Sequence, residues 1–269
     1  MALKPILTIG LNIEGQPILV DLAEIRHLLI AGSCGSEVKT FINTIIVSIL
    51  YQAKSNHVKL ILLDSEITGL ILFSRISHLM FPIISKKEKA VAALQWAVEE
   101  MNRRYEIFAR CGVRNISSFN AELPRLKTDI DSKLKIMPRI VIIILELADL
   151  MVAEPRFAEA SICRISQMGA AVGIHLIIAG SRLSCSVLTG LIKANLPSRV
   201  GFAVSTCKDS RLILDMKGAE RLLGNGDLLF LPRDSKRLLR LQSASISDDE
   251  LLVWLAKTSL KKHSFKESD

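Results

Sequence analysis

The segment Ala31-Gly-Ser-Cys-Gly-Ser-Glu-Val-Lys-Thr40 holds the residues with the clearest chemical meaning in this chain. Its frame is that of a phosphate-binding loop, Gly-x-x-x-x-Gly-Lys-Ser/Thr, set between a buried strand and a helix. Gly32 opens the loop and Gly35 and Ser36 continue it, but Glu37, Val38 and Lys39 stand at the Gly, Lys and Ser/Thr positions. The lysine of such a loop neutralises the β- and γ-phosphates, and the hydroxyl holds magnesium. Valine does neither. A carboxylate about 5 Å from a phosphate charge costs on the order of 3 kcal/mol per unit charge at an effective dielectric of about 20. Glu37 is therefore expected to turn into solvent. A register shifted by one would make Lys39-Thr40 the lysine–hydroxyl pair, with an extra loop residue and roughly 100° of rotation at the helix start. Asp64 and Glu146, each at the end of an apolar run, are the other groups placed for chemistry.

The elements that must position these groups alternate along the chain. His27-Leu-Leu-Ile-Ala31 reads as a buried strand, and Ile42, Ile45, Ile46, Ile49, Leu50 and Ala53 give the next helix its apolar face. Strands at 58–64 and 140–145 end at Asp64 and Glu146. Further strands are expected at 174–179, 199–204 and 227–231, with helices at about 155–171, up to Asn195 and over 208–224. In a doubly wound sheet, ligands collect at the carboxyl ends of the strands, so residues 32–40, Asp64, Glu146 and Gly180-Ser181 should meet there. Residues 1–26 read as a β ribbon turning at Gly10 and Glu14-Gly15. A long helix over 86–110 has Val91, Leu94, Val98, Met101, Tyr105 and Phe108 as its core stripe, leaving Lys86, Lys87, Lys89, Arg103 and Arg104 on a solvated face. Residues 120–138 read as a mobile surface loop, Gly224-Asn-Gly226 as a turn, and Ser247-Asp-Asp-Glu250 as a capping box opening a terminal helix.

Composition narrows the class. The 269 residues are 49% hydrophobic with a mean hydropathy of +0.35, yet the longest aliphatic run, 140–145, is far too short to span a bilayer. Short continuous apolar runs suit parallel strands covered on both faces. No signal peptide is legible. The five cysteines lack Cys-x-x-Cys spacing and the five histidines are dispersed, which argues against a metal site or disulfide framework and for reduced thiols in a cytoplasmic protein. A net charge of +8 favours polyanionic partners.

Several blocks resemble the motor domain of the FtsK/SpoIIIE DNA translocases. They include His27-Leu-Leu-Ile-Ala-Gly32, Glu99-Glu-Met-Asn-Arg-Arg-Tyr105, Gly112-Val-Arg-Asn115, Glu146-Leu-Ala-Asp-Leu-Met151, Gly173-Ile-His175, Asp209-Ser-Arg-Leu-Ile-Leu-Asp215 and Leu222-Leu-Gly-Asn-Gly-Asp227. The resemblance implies a RecA-like P-loop NTPase fold: α/β, with a mainly parallel sheet and helices on both faces. It implies a β segment at 1–26, a motor domain at 27–260 and a polar tail at 261–269. It also implies ATP and magnesium as cofactors, double-stranded DNA gripped without regard to sequence, a hexameric ring and a role in chromosome partition and cell division.

The departures fall on the chemistry that the resemblance implies. Beyond Glu37-Val38-Lys39, the strand-end Asp-Glu becomes Leu145-Glu146, so the magnesium aspartate is lost and Glu146 alone is left as residual base. The strand-end Asp-Pro-Lys becomes Asp64-Ser-Glu66, the Thr-Gln-Arg that senses the γ-phosphate becomes Gly180-Ser181-Arg182, and a basic Lys-Ala-Arg becomes Met168-Gly-Ala170. The expectation is a pseudo-ATPase with weak or absent ATP and magnesium binding, assembled with itself or with an active relative. The rival is an active translocase with a site built on Lys39, Thr40, Asp64 and Glu146. Arg114, Lys193, Arg199, Lys208 and Arg211 lie in or beside matching blocks and are the candidate DNA contacts.

Overall fold

The computed structural model describes residues 5–66, 69–181 and 183–264. A single nine-stranded sheet runs through it. Strands β1 (Ile6–Leu11) and β2 (Pro17–Asp21) form an antiparallel ribbon, followed by a single helical turn, α1 (Leu22–Ile25). Next come β3 (Leu28–Ala31), α2 (Gly35–Gln52), β4 (Val58–Leu63), α3 (Lys87–Cys111), α4 (Ile116–Asp129) and β5 (Arg139–Ile144). The chain continues through α5 (Leu147–Ala153), α6 (Pro155–Met168), β6 (Ile174–Gly180), α7 (Gly190–Asn195), β7 (Ser198–Phe202) and α8 (Cys207–Leu214). It ends with β8 (Asp227–Leu231), β9 (Leu239–Gln242) and α9 (Asp248–Ser264).

The strand order is β2-β1-β9-β8-β7-β3-β6-β5-β4. The five strands from β7 to β4 are mutually parallel, and β8, β9 and the ribbon extend the sheet antiparallel. Period-two alternation divides the core. Leu28 and Ile30 of β3, with Val141 and Ile143 of β5, face the layer of α2 and α9. Leu29, with Ile140, Ile142 and Ile144, faces α3 to α6. Both faces are covered, as the uninterrupted aliphatic strands require.

Five local expectations need correction, besides the helix expected over 208–224, which ends at Leu214 where Asp215 takes a left-handed conformation. Gly10 makes no turn. It lies inside β1, where β9 crosses so closely that an added Cβ would meet Gln242 O at 2.5 Å. The turn is at Asn12–Gln16, closed by Gly15 N donating to Asn12 O and by Asn12 N donating to Gln16 O, both at 2.9 Å. The 120–138 loop is largely helix: Asn115 caps α4 by accepting from Ser118 N at 2.9 Å, and Phe119, Leu123 and Leu126 are buried. A further strand, β9, follows the strand at 227–231, the last that the sequence predicts. Helix α9 continues to Ser264 through the first part of the expected tail, of which 265–269 lie outside the described residues.

The fifth correction concerns α3, whose core face is rotated relative to the expected stripe. Leu94, Met101 and Phe108 are shared, but Ala90, Ala97, Arg104 and Cys111 complete the buried face while Val91, Val98 and Tyr105 flank it. Arg104, expected in solvent, is 2% exposed.

Candidate functional site

A cleft of about 300 Å³ opens at the carboxyl ends of the parallel strands. Its wall is built from Gly35, Ser36, Val38 and Lys39 at the start of α2, from Asp64, Ser65, Glu66 and Gly69 after β4, from Leu145 and Glu146 after β5, and from Ser181 after β6. Most of the site residues read from the sequence thus meet in one place. Three do not join the wall. Gly32 sits beneath it, where an added Cβ would lie 2.6 Å from Phe202 Cβ, so the loop's first glycine is fixed by packing. Glu37 lies on the opposite side of the helix start, and Thr40 is not among the residues that line the cleft.

Glu37 does not turn into solvent. Its Oε1 accepts a hydrogen bond from Gly226 N at 3.1 Å, which ties the loop to the Gly224-Asn225-Gly226 turn. All three residues of that turn have positive φ, a conformation for which glycine and asparagine are suited. The turn was legible from the sequence, but its pairing with a residue 189 positions away was not. Val38 is 2% exposed and belongs to the apolar layer under the loop. Exposed Cys34 precedes the helix, its thiol lowered by the hydrogen bond with Ser36 Oγ at 2.9 Å and by the backbone at Glu37.

The carboxylates are committed locally. Asp64, 2% exposed, accepts from Glu66 N at 3.1 Å and Leu70 N at 3.0 Å, so it organises the loop after β4. Glu146 caps α5 through Ala148 N at 3.3 Å, and its other oxygen accepts from Ser181 N at 3.0 Å and Ser181 Oγ at 2.9 Å. Ser181, at the sensor position, therefore holds Glu146 directly. Arg182 lies outside the described residues. Leu145 packs over Gly69, where an added Cβ would come within 2.4 Å of Leu145 Cδ2. Ser65 Oγ donates to Asp149 Oδ2, a contact with no signal in the sequence.

The donor set does not fit the Mg²⁺-nucleotide that the loop frame suggests. Three carboxylates on the wall, Asp64, Glu66 and Glu146, face one ammonium, Lys39. The positions that should bring a second ammonium and the magnesium carboxylate are aliphatic. Among the described residues no cluster of three or more His, Cys, Asp or Glu could hold a metal.

The candidate DNA contacts separate into two groups. Arg199 is buried and structural: Nε donates to Leu196 O at 2.9 Å, Nη1 to Ile213 O at 3.2 Å and Asp215 Oδ2 at 2.5 Å, and Nη2 to Lys193 O at 3.0 Å. Lys193 joins this network through Asp215 Oδ1 at 2.6 Å and Arg211 O at 2.9 Å. The donors of both residues already serve the fold. Arg114, Lys208 and Arg211 are exposed.

A glycine-opened loop on β3, with β6 inserted between it and the acid-bearing β5, defines a P-loop ATPase fold of the RecA type. Similar solved structures agree. The pCW3 conjugation coupling protein TcpA, a monomer form with ATPγS, superposes with a TM-score of 0.81 at 21% identity, covering 96% of this chain and 71% of that one. The type VII secretion ATPase EccC of Thermomonospora curvata gives 0.75 at 21% identity, covering 94% and 31%. Residues 4–185 match the FtsK/SpoIIIE family, and the chain belongs to that family. It is 46% identical over 248 residues to DNA translocase SpoIIIE of Bacillus subtilis (strain 168), covering 92% of this chain and 32% of that protein. It is 48% identical over 243 residues to DNA translocase SftA of the same strain, covering 90% and 25%. The chain thus spans about a third or less of these relatives. No described helix is long and apolar enough to cross a membrane.

Proposed function

We propose that this chain is a translocase-family motor domain that no longer hydrolyses ATP and serves as a DNA-binding or ring-scaffolding subunit. The homology to DNA translocases supports duplex DNA as the partner, bound through its phosphates, and chromosome partition or division as the setting. The ring is either of this chain alone or shared with an active relative. The observation that carries the loss of hydrolysis is the composition of the cleft wall, with three carboxylates against one ammonium, and with buried Val38 and half-buried Leu145 where phosphate and metal ligands belong. A triphosphate brought there would meet net negative charge without the metal that offsets it in phosphoryl transfer. Glu146, held by Ser181 and the start of α5, then acts as a local cap rather than as a base. In a phosphate-release assay with Mg-ATP, duplex DNA is expected to give no stimulation above background. Sustained DNA-stimulated turnover that Glu146→Gln abolishes would overturn the proposal.

Lys39 favours a second reading, because it does line the cleft. Its ammonium could replace the metal as a counter-charge and support weak nucleotide binding. Thr40, which the shifted register also needs, is not on the wall, so the active-translocase version keeps only half of its pair. Under an active site built on Lys39, Lys39→Ala lowers nucleotide affinity tenfold or more, about 1.4 kcal/mol. Under the inactive reading, calorimetry shows the same weak binding in both proteins, with or without magnesium.

A further inference from the structure

The net charge of +8 is not carried by the cleft, whose wall is acidic. The excess positive charge must lie elsewhere, and the sheet topology places part of it at the opposite end. Arg26 stands two residues before β3. Arg233 stands two residues beyond β8, whose Leu231 pairs with Arg199 at the start of β7. Lys236 and Arg237 follow in the β8–β9 connection. Lys133 and Lys135 lie in the segment that leads into β5. Arg233 is partly exposed and the other five are exposed. Half-buried Arg139 lies between them, donating to Ser117 Oγ at 2.9 Å. Carboxylates share this end as well: Asp21, Glu24, Asp131, Asp215, which pairs with Arg199 and Lys193, and Asp234, 3.7 Å from Arg233.

The field of this cluster is felt inside the protein. Burial is the main cause that lowers His27 and His175, but Arg26 and Arg233 add to it at His27, and Arg139 and Arg104 at His175. Arg26 and Arg233 therefore lie close enough to act on the same imidazole, although they leave different strands.

The spacing of the cations identifies what they can hold. Strands lie about 4.8 Å apart, so the four steps from β8 to β5 spread the cations over roughly 19 Å. Such a row cannot converge on one phosphate, as a mononucleotide site requires. It matches about six steps of duplex at roughly 3.4 Å each, and separate Lys and Arg contacts to successive phosphates are how sequence-independent binding works. We propose that the end of the sheet opposite the cleft is a docking face for the phosphate backbone of duplex DNA, with Arg26, Lys133, Lys135, Arg233, Lys236 and Arg237 as contacts. This rests on the DNA-binding reading above and gives it a surface that needs neither the cleft nor a nucleotide.

The test uses the 269-residue chain and a fluorescent duplex of mixed sequence, with binding followed by anisotropy over a range of salt. The paired variants Lys133→Ala/Lys135→Ala and Lys236→Ala/Arg237→Ala each lower affinity about tenfold at about 0.1 M salt, and each flattens the log–log salt dependence by about 1.8, or about 0.9 per lost phosphate contact. Their thermal melts stay at the wild-type position, since these side chains are exposed. Lys208→Ala/Arg211→Ala, on α8, is the comparison pair. If the wild type binds duplex and only the α8 pair weakens it, the face proposed here is wrong while DNA binding stands. No wild-type binding at about 50 mM salt removes the DNA reading itself, and the face with it. Tighter binding of polyglutamate than of duplex at equal charge would assign the face to an acidic polypeptide and overturn the proposal.

Discussion

Arg104→Ala is expected to destabilise the fold by about 3–5 kcal/mol, the range for breaking a buried, hydrogen-bonded charge pair from one side. Arg104 is almost wholly inside the protein. Its Nε donates to Glu100 Oε1 at 2.8 Å, and its Nη1 to Pro138 O at 2.8 Å and Val172 O at 2.9 Å. Pro138 immediately precedes β5 and Val172 lies two residues before β6, so one guanidinium fastens α3 to the starts of two central strands. Desolvation by itself would raise Glu100, but the hydrogen bonds from Arg103 and Arg104 hold its carboxyl below the ordinary range. Truncation to alanine strands two buried carbonyls and leaves a void the length of an arginine stem, and each fault costs free energy separately. Arg104→Met fills much of the void and still strands the carbonyls, so it should be destabilised by less than the alanine variant. Urea denaturation checks both. A loss below about 1 kcal/mol for Arg104→Ala would show that the observed bonds contribute little net stability.

The same residue shows where the sequence stops being informative. Hydrophobic periodicity finds α3 and the seam Leu94, Met101, Phe108, because large apolar residues recur there. It then prefers Val91, Val98 and Tyr105 over Ala90, Ala97 and Arg104, since alanines look neutral and an arginine looks solvated. What reverses the choice is tertiary: α3 packs closely against α6, where small side chains fit, and the carbonyls before β5 and β6 need a donor. Pro124 and a polar composition hide α4 in a similar way, although the Asn115 cap is present in the sequence. Strand β9 is equally hard to read, with Leu241 its one buried residue. The site's frame was far more legible. A buried strand, a glycine loop and two strand-end carboxylates are local patterns, and the sheet brings them together as expected. The fate of Glu37 was not legible, because its acceptor role depends on a backbone N–H at Gly226 that only the folded chain delivers.

Acid should destabilise the protein well above the pH at which carboxylates titrate, by about 4 kcal/mol between pH 7 and 5. The cause is the buried histidine pair at the far end of the sheet. His27 is lowered to about 3, first by burial, then by the charge of His175; the Ser166 backbone opposes this, and Arg26 and Arg233 add smaller contributions in the lowering direction. His175 is lowered to about 4, first by burial and further by Arg139 and Arg104, while its bond to Arg26 O and the charge of Asp21 pull the other way. His27 Nδ1 accepts from Leu176 N at 3.0 Å, which favours its neutral ring, while burial keeps His175 neutral against the pull of its Nδ1 bond to that carbonyl at 2.8 Å. An unfolded histidine binds a proton near pH 6.5. Both folded values lie below that, so the unfolded chain takes up protons that the native chain refuses. The stabilisation is complete above pH 6.5 and is lost as pH falls toward 4 and then 3. Each group contributes up to about 1.4 kcal/mol per pH unit in that window. Urea unfolding at about pH 5.5 should therefore take up close to two protons from this pair. His27→Asn, whose amide oxygen can still accept from Leu176 N, should remove about half of the pH dependence between 7 and 5. If the wild-type curve is flat over that interval, the imidazoles are protonated in the native state, and the positive field at this end of the sheet is weaker than the arrangement of Arg26, Arg139 and Arg233 implies.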